Sequence, residues 1–261
     1  MVTSGLFFFP PPFLSDLFCI CQAFVFEYIL FPMTPYLLLF DIDGTLLSAG
    51  GCGKIAIDRT FKEIFSVSGA WANTFPDGKT DLLIFNEIAE RCIGRKLKNV
   101  EWETFSNLYA QYFEEESEKP GYFKTTPGAR NLLEKLADLP QIHLSVATGN
   151  IEKVSWIKLH KANLHSFFKC GGFGSNHINR TGILNDAIAS SESHFGHQYS
   201  KKNVFVIGDT RHDVIAAHAL ELRSIGVDTG STGGRDFEEA QPHHRFSDFC
   251  DAGSFIQLFN D

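Results

Sequence analysis

The chain has 261 residues, 44% hydrophobic and 21% charged, a composition that excludes extended disorder and allows one large domain or a core with a smaller insert. A formal net charge of −8 argues against a nucleic-acid partner, which a basic stripe would serve, and makes any anionic substrate depend on local cations. Cys19, Cys21, Cys52, Cys92, Cys170 and Cys250 include no CxxC pair, so they read as reduced core or loop thiols, which fits a cytoplasmic protein.

Residues 1–32 differ from the rest, with Phe7-Phe8-Phe9, Pro10-Pro11-Pro12 and no Lys or Arg. They lack the positive n-region and small-residue cleavage site of a secretory signal. Leu17–Leu30 is apolar in the main but holds Gln22 and Glu27, and it falls short of the ~20 residues a membrane span needs. The segment is expected to be an extension outside the fold from a misassigned start, with Met33 as the natural beginning. No membrane partner is expected.

Tyr36–Leu47, YLLLFDIDGTLL, is the first strong signal. Its continuous apolar run, closed by a turn, predicts a strand buried on both faces of a parallel sheet, with function beyond its carboxyl end. Alternation along the extended chain points Asp41 and Asp43 the same way. Two like charges so close call for a cation between them, and Mg²⁺ suits carboxylate and phosphate oxygens.

Ser48–Gly53 is a glycine-rich hinge. The period then becomes helical: Ile57, Phe61, Ile64 and Phe65 form one stripe, and Leu82–Ile93 and Trp102–Tyr112 repeat it. Asp77–Asp81 is a polar turn between the first two helices, and Glu114–Glu116 is an acidic run. With no credible strand over 54–119, the region predicts an all-helical insert capping the site. Thr126 as N-cap and Pro127 at the first helical position predict a helix carrying Leu132, Leu133 and Leu136.

Ile142–Asn150 predicts a strand ending in Thr148 and Gly149, with Asn150 capping the helix that follows. A phosphate oxygen there can use the Thr148 hydroxyl and nearby backbone N–H groups. Phe167–Phe173 reads as a short strand, with a helix from about Ile183. Val204–Ile207 is an apolar strand running into Gly208-Asp209, with Asp213 four residues on. Leu222–Val227 reads as the next strand, and Phe246–Phe249 and Phe255–Leu258 finish the sheet and its covering helix. His243-His244 has no carboxylate or Cys partners at metal-ligand spacing, and a surface loop is expected.

Asp41-Ile-Asp43-Gly-Thr45, a strand ending in Thr148, and Gly208-Asp209 with Asp213 follow in order on three apolar strands. From Tyr36 to the C-terminus the chain resembles the haloacid dehalogenase (HAD) superfamily of phosphohydrolases, whose motifs include DxDGT, a Thr- or Ser-ending strand and GDxxxD. The resemblance implies an α/β fold: a doubly wound parallel-sheet, Rossmann-like HAD core over 33–50 and 125–261, with an all-helical cap domain over 51–124. It implies a Mg²⁺-dependent phosphatase acting on a small phosphorylated metabolite, nearest overall to phosphoglycolate phosphatase-like enzymes. Asp41 is then the nucleophile that becomes an aspartyl-phosphate, and Asp43 the acid and base. Asp41, Asp209, Asp213 and the Asp43 backbone carbonyl gather around the metal.

The family places a basic residue, most often lysine, near the start of the helix after the Phe167–Phe173 region. Arg180 stands there, and Lys153 is the competing donor. Thr45, Gly149 and Asn150 are expected at the substrate, and Lys79 to meet a substrate carboxylate. An acid at position 43 disfavours halide release. A phosphomutase with the same cap is the alternative reading, and a non-catalytic phosphate-binding module is a further one.

Overall fold

The computed structural model describes residues 35–235 and 237–259, which belong to one compact unit. The expected extension at 1–32, with Cys19 and Cys21, lies outside the described residues. Strand β1 (Tyr36–Phe40) buries Leu37, Leu38, Leu39 and Phe40 completely. Because side chains alternate across a strand, Leu38 and Phe40 enter one hydrophobic cluster while Leu37 and Leu39 enter another. Each such side chain contributes roughly 1.5–3 kcal/mol when fully buried.

A strand claimed by two cores must lie inside the sheet. β1 is flanked in parallel register by β4 (Ile142–Thr148) and β6 (Val204–Gly208), with Phe40 beside Val146 and Ile207. The remaining strands are β2 (Leu47–Ser48), β3 (Lys124–Thr125), β5 (Gly171–Phe173), β7 (Arg223–Val227) and β8 (His244–Phe246). Six of the strands form one parallel sheet in the order β5-β4-β1-β6-β7-β8. This register brings Asp41, Thr148 and Asp209 to the same carboxyl edge.

Between β2 and β3 the chain makes α1 (Cys52–Phe65), α2 (Asp81–Ile93) and α3 (Asn99–Ser117). β2 and β3 pair antiparallel, so the strands entering and leaving this helical segment run side by side. Phe61, Phe85, Phe105, Tyr109 and Phe113 interlock within it, Phe85 and Tyr109 edge to face at 4.9 Å between ring centroids. These rings join the same cluster as one face of the sheet. After β3 come α4 (Ala129–Ala137), α5 (Glu152–Lys161), α6 (Arg180–Phe195), α7 (Arg211–Ala219), α8 (Phe237–Ala240) and α9 (Ala252–Gln257). Residues of α4, α5 and α9 bury into that cluster, and Ile183, Leu184, Ala187, Ala216 and Ala217 of α6 and α7 into the cluster of Leu37 and Leu39. Helices therefore cover both sheet faces, as a doubly wound fold requires.

Several expected boundaries move for identifiable reasons. α2 starts at Asp81 because Thr80 caps it, accepting from the Leu83 N–H at 3.2 Å. α3 runs past Tyr112 to Ser117, so the acidic run is helical and Glu115 meets Arg59 of α1 at 2.6 Å. Thr126 is not the cap of α4: its N–H is tied to Leu46 O, and Gly128, at φ 76°, holds the cap position. Asn150 does not cap α5 either, since its side chain is committed to the site. His165–Phe167 turn as a 3₁₀ segment, which shortens β5, and α6 begins at Arg180 because Asn179 caps it. His244 opens β8 and His243 bonds Ser224, so the expected surface loop is not formed.

Candidate active site

β1 ends one residue before Asp41, whose N–H donates to Ile207 O at 2.9 Å and so fixes the turn against β6. Asp41, Asp209 and Asp213 are all buried, and each offers a carboxylate oxygen within 4.8 Å of the others. Burial pushes Asp209 up to about 8, with Asp41 and Asp213 adding to the shift. It pushes Asp41 up to about 6, opposed by Arg180 and supported by Asp213 and Asp43. Such crowding is costly unless positive charge balances it. Gly44, at φ 78°, lets the turn close on Asp209: a Cβ there would stand 2.4 Å from Asp209 Oδ2. Thr45 Oγ1 donates to Asp209 Oδ1 at 3.0 Å, and Thr229 Oγ1 to Gly44 O at 2.6 Å.

Arg180, the first residue of α6, reaches into this cluster. Its guanidinium donates to Asp213 Oδ1, to Asp41 Oδ2 at 3.3 Å and to Gly78 O at 3.2 Å. Burial by itself would lower its pKa, but Asp213, Asp41 and Asp209 raise it overall, so it stays charged. The other oxygen of Asp213 accepts from Thr210 N–H and Oγ1, the capping box of α7. When all three carboxylates are ionised, they exceed the one guanidinium by two negative charges. A donor set of hard oxygens with that deficit fits a divalent cation.

Asp43 sits in a different environment. Its side chain is 43% exposed against 5% for Asp41. Lys158 Nζ and Asn150 Nδ2 both donate to its Oδ2, the latter at 2.6 Å, while Oδ1 takes no hydrogen bond from a described residue. Asn150 Oδ1 accepts from Lys158 at 2.7 Å, and Asn150 Nδ2 also donates to Thr148 Oγ1 at 2.9 Å. The end of β4 and the middle of α5 thus form one polar chain that ends on Asp43.

The turn at 77–81 covers this edge of the sheet. Asp81 N–H donates to Gly149 O at 2.7 Å, and Asp81 Oδ2 accepts from Ile151 N–H at 2.8 Å. Asp77 accepts from Ser231 Oγ at 2.9 Å. Gly149 is required here, because a Cβ would lie 2.5 Å from Lys79 O. The partly open cavity there has a volume of about 350 Å³ and reaches from Asp41, Asp43 and Arg180 to Ile57, Trp71 and Tyr109.

Asp41, Asp43, Thr148, Gly149, Asn150, Arg180 and Asp209 all line this cavity, and Asp213 lies behind it on Arg180. Lys79 lines it too, but pairs with Glu87 at 2.6 Å. Two expected positions need correction. Lys153 is outside the cavity, bonded to Asn107, because it lies on the outward side of α5. Thr45 is fully buried and spends its hydroxyl on Asp209, so it faces the carboxylates rather than the cavity. Sequence reasoning missed Lys158, Asp81 and Ser231. Lys158 was detectable: it falls in the buried stripe of α5 with Val154, Ser155 and Leu159, where a lysine is rarely found without a partner.

The family model for haloacid dehalogenase-like hydrolases matches residues 38–227. Among solved structures, a hydrolase from Pseudomonas syringae is 19% identical with a TM-score of 0.64, covering 85% of this chain and 98% of its own. A predicted phosphoglycolate phosphatase from Haemophilus somnus 129pt is 20% identical with a TM-score of 0.62, covering 86% and 99%. Protein YfnB from Bacillus subtilis, solved bound to magnesium, is 16% identical with a TM-score of 0.53, covering 87% and 100%. At these identities the structures establish the fold alone. No curated protein matches the sequence significantly.

Proposed function

The chain belongs to the haloacid dehalogenase-like hydrolase family, and on that premise we propose that it is a Mg²⁺-dependent phosphatase releasing phosphate from a small phosphate monoester. The observation that carries this reading is the division of labour between the two acids after β1. Asp41 is buried and held by Arg180, whereas Asp43 is half-exposed and held by Lys158 and Asn150. Asp41, set against Arg180 and beside Asp209 and Asp213, serves as the nucleophile, and Asp43, whose Oδ1 takes no hydrogen bond from a described residue, as the proton donor.

An Asp41 carboxylate oxygen attacks phosphorus, the P–O ester bond breaks, and an aspartyl-phosphate forms on Asp41. Asp43 gives its proton to the departing oxygen, then takes one from the water that hydrolyses the acyl phosphate. Arg180 holds Asp41 in place and stabilises charge on the phosphoryl oxygens, and Thr148 Oγ1 donates to one of them. Lys158 fixes the rotamer of Asp43. Asp41, Asp209 and the Asp43 backbone carbonyl, with Asp213 behind, would hold Mg²⁺, which would supply compensation for the negative charge of nucleophile and phosphate. Helices α1–α3 act as the cap that shields the acyl phosphate from water before Asp43 admits it.

The test is phosphate release from p-nitrophenyl phosphate, with and without EDTA, by the wild type and Asp41→Asn. Wild-type turnover that EDTA stops and the variant lacks, with an unchanged circular dichroism spectrum, is the expected result. Turnover retained by Asp41→Asn would remove the assigned nucleophile, and in a parallel incubation with hexose phosphates an isomer formed without free phosphate would identify a mutase.

A further inference from the structure

Resting on the phosphatase reading, we propose that Gly78 is a positioning residue: its carbonyl, carried in by the helical segment, orients the Arg180 guanidinium for phosphoryl transfer. A guanidinium has five N–H donors. Arg180 spends three of them on three partners: Nη1 on Asp213, Nη2 on Asp41 at 3.3 Å and Nε on Gly78 O at 3.2 Å. Asp41 follows β1 and Asp213 lies in α7, whereas Gly78 leads into α2. Two points of attachment leave a planar fork free to rock about the line joining them. The third fixes its plane. The N–H left over on each η nitrogen then keeps one direction, and Arg180 lines the cavity that receives the phosphoryl group.

The turn at 77–81 is seated on three parts of the core. Asp77 accepts from Ser231 Oγ at 2.9 Å, beyond β7. Asp81 is tied to Gly149 O and Ile151 N–H, beyond β4. Gly78 itself, at φ 71°, lies so close to α7 that a Cβ would stand 2.0 Å from His212 Cδ2. These contacts place one carbonyl against one guanidinium. Asp43, by contrast, is held by Lys158 and Asn150, both outside the helical segment. A shift of the turn therefore disturbs Arg180 and spares the acid. When the segment lifts to admit a substrate, Gly78 O leaves Nε, so the guanidinium is fully set only while the cavity is covered.

The experiment compares kcat/KM of wild type and Gly78→Ala, with Mg²⁺, on p-nitrophenyl phosphate and propyl phosphate. p-Nitrophenolate departs without a proton, whereas propanol needs the one from Asp43. Alanine at 78 meets His212 and is strained at positive φ, so the turn must shift. Both esters are expected to lose about tenfold alike. In Arg180→Lys, which keeps the charge without an Nε N–H, Gly78→Ala is expected to add less than about twofold. Full activity of Gly78→Ala on p-nitrophenyl phosphate overturns the proposal. A loss confined to propyl phosphate also overturns it, since the effect would then lie on Asp43, and so do additive losses with Arg180→Lys. If Gly78→Ala does not fold, Asp77→Ala decides instead: an equal loss of about threefold on both esters supports the proposal, and full activity overturns it. EDTA-sensitive turnover by the wild type with an undiminished Gly78→Ala leaves the phosphatase reading standing and removes only the role of Gly78. If the wild type hydrolyses neither ester, both fall together.

Discussion

Lys153 and Lys158 lie on one helix, but roughly 140° apart around its axis, and that rotation separates a surface charge from a site residue. Lys158 is 5% exposed and donates to both Asp43 and Asn150, whereas Lys153 reaches only Asn107. Lys158→Ala leaves Asp43 without its charged partner and frees its rotamer. It is expected to lower kcat on p-nitrophenyl phosphate by about a hundredfold or more, the range of misplaced acid–base groups. Lys153→Ala is expected to stay within about twofold, as surface changes usually do. Equal losses in steady-state kinetics would show that Lys158 has no special role. The residue scale also marks what a sequence can reveal. Asp41, Thr148 and Asp209 were legible because each ends a buried apolar run. Lys158 was obscured because a family resemblance directs attention to helix starts, and its burial in mid-helix emerges only from the stripe it shares with Val154 and Leu159.

The turn at 77–81 and the first residue of α2 join the helical segment to the carboxyl edge of the sheet. Asp81 makes two of those links, to Gly149 O and from Ile151 N–H, and burial pushes its carboxyl up to about 6 despite Lys158 nearby. The folded protein therefore keeps a proton on Asp81 over a range where the unfolded chain, with an ordinary value of 3.8, has lost it. The stability tied to the protonated form is complete below about pH 4 and disappears as pH rises through about 6, a difference of about 3 kcal/mol. Asp81→Asn has no proton to lose. In urea unfolding, its stability relative to wild type is expected to climb between pH 4 and pH 7, because all other titrations cancel in the comparison. A flat difference across that range would mean Asp81 is solvated in solution and the turn does not sit as described. Neither link was legible in the sequence. Asp77-Gly-Lys-Thr-Asp81 announced a polar turn, and only the packing of Gly149 under Lys79 O shows where that turn lands.

At the scale of the whole molecule, the sheet does work that no single motif can. Parallel register sets β1, β4 and β6 level, so carboxylates far apart in the chain meet at one edge, and α6 delivers Arg180 among them. The fold was legible because strand runs, helical periods and turn residues agreed along the chain. The helical boundaries were less so: Gly128 caps α4 where a Cβ would stand 2.2 Å from the Phe249 backbone, a contact remote in the sequence. The same convergence stores electrostatic cost: Asp41, Asp209 and Asp213 share one guanidinium, and a ligand that supplies positive charge only to the folded state must stabilise it. Mg²⁺ at about a hundred times its dissociation constant would add about 2.7 kcal/mol, or roughly 5–10 °C in Tm for a chain of this size. Asp209→Asn removes one ligand and the charge it would carry beside the cation, so its Tm is expected to respond far less to Mg²⁺ in differential scanning calorimetry. An equal response in wild type and variant would place the bound cation elsewhere. No response in the wild type would mean that Arg180 alone balances the cluster.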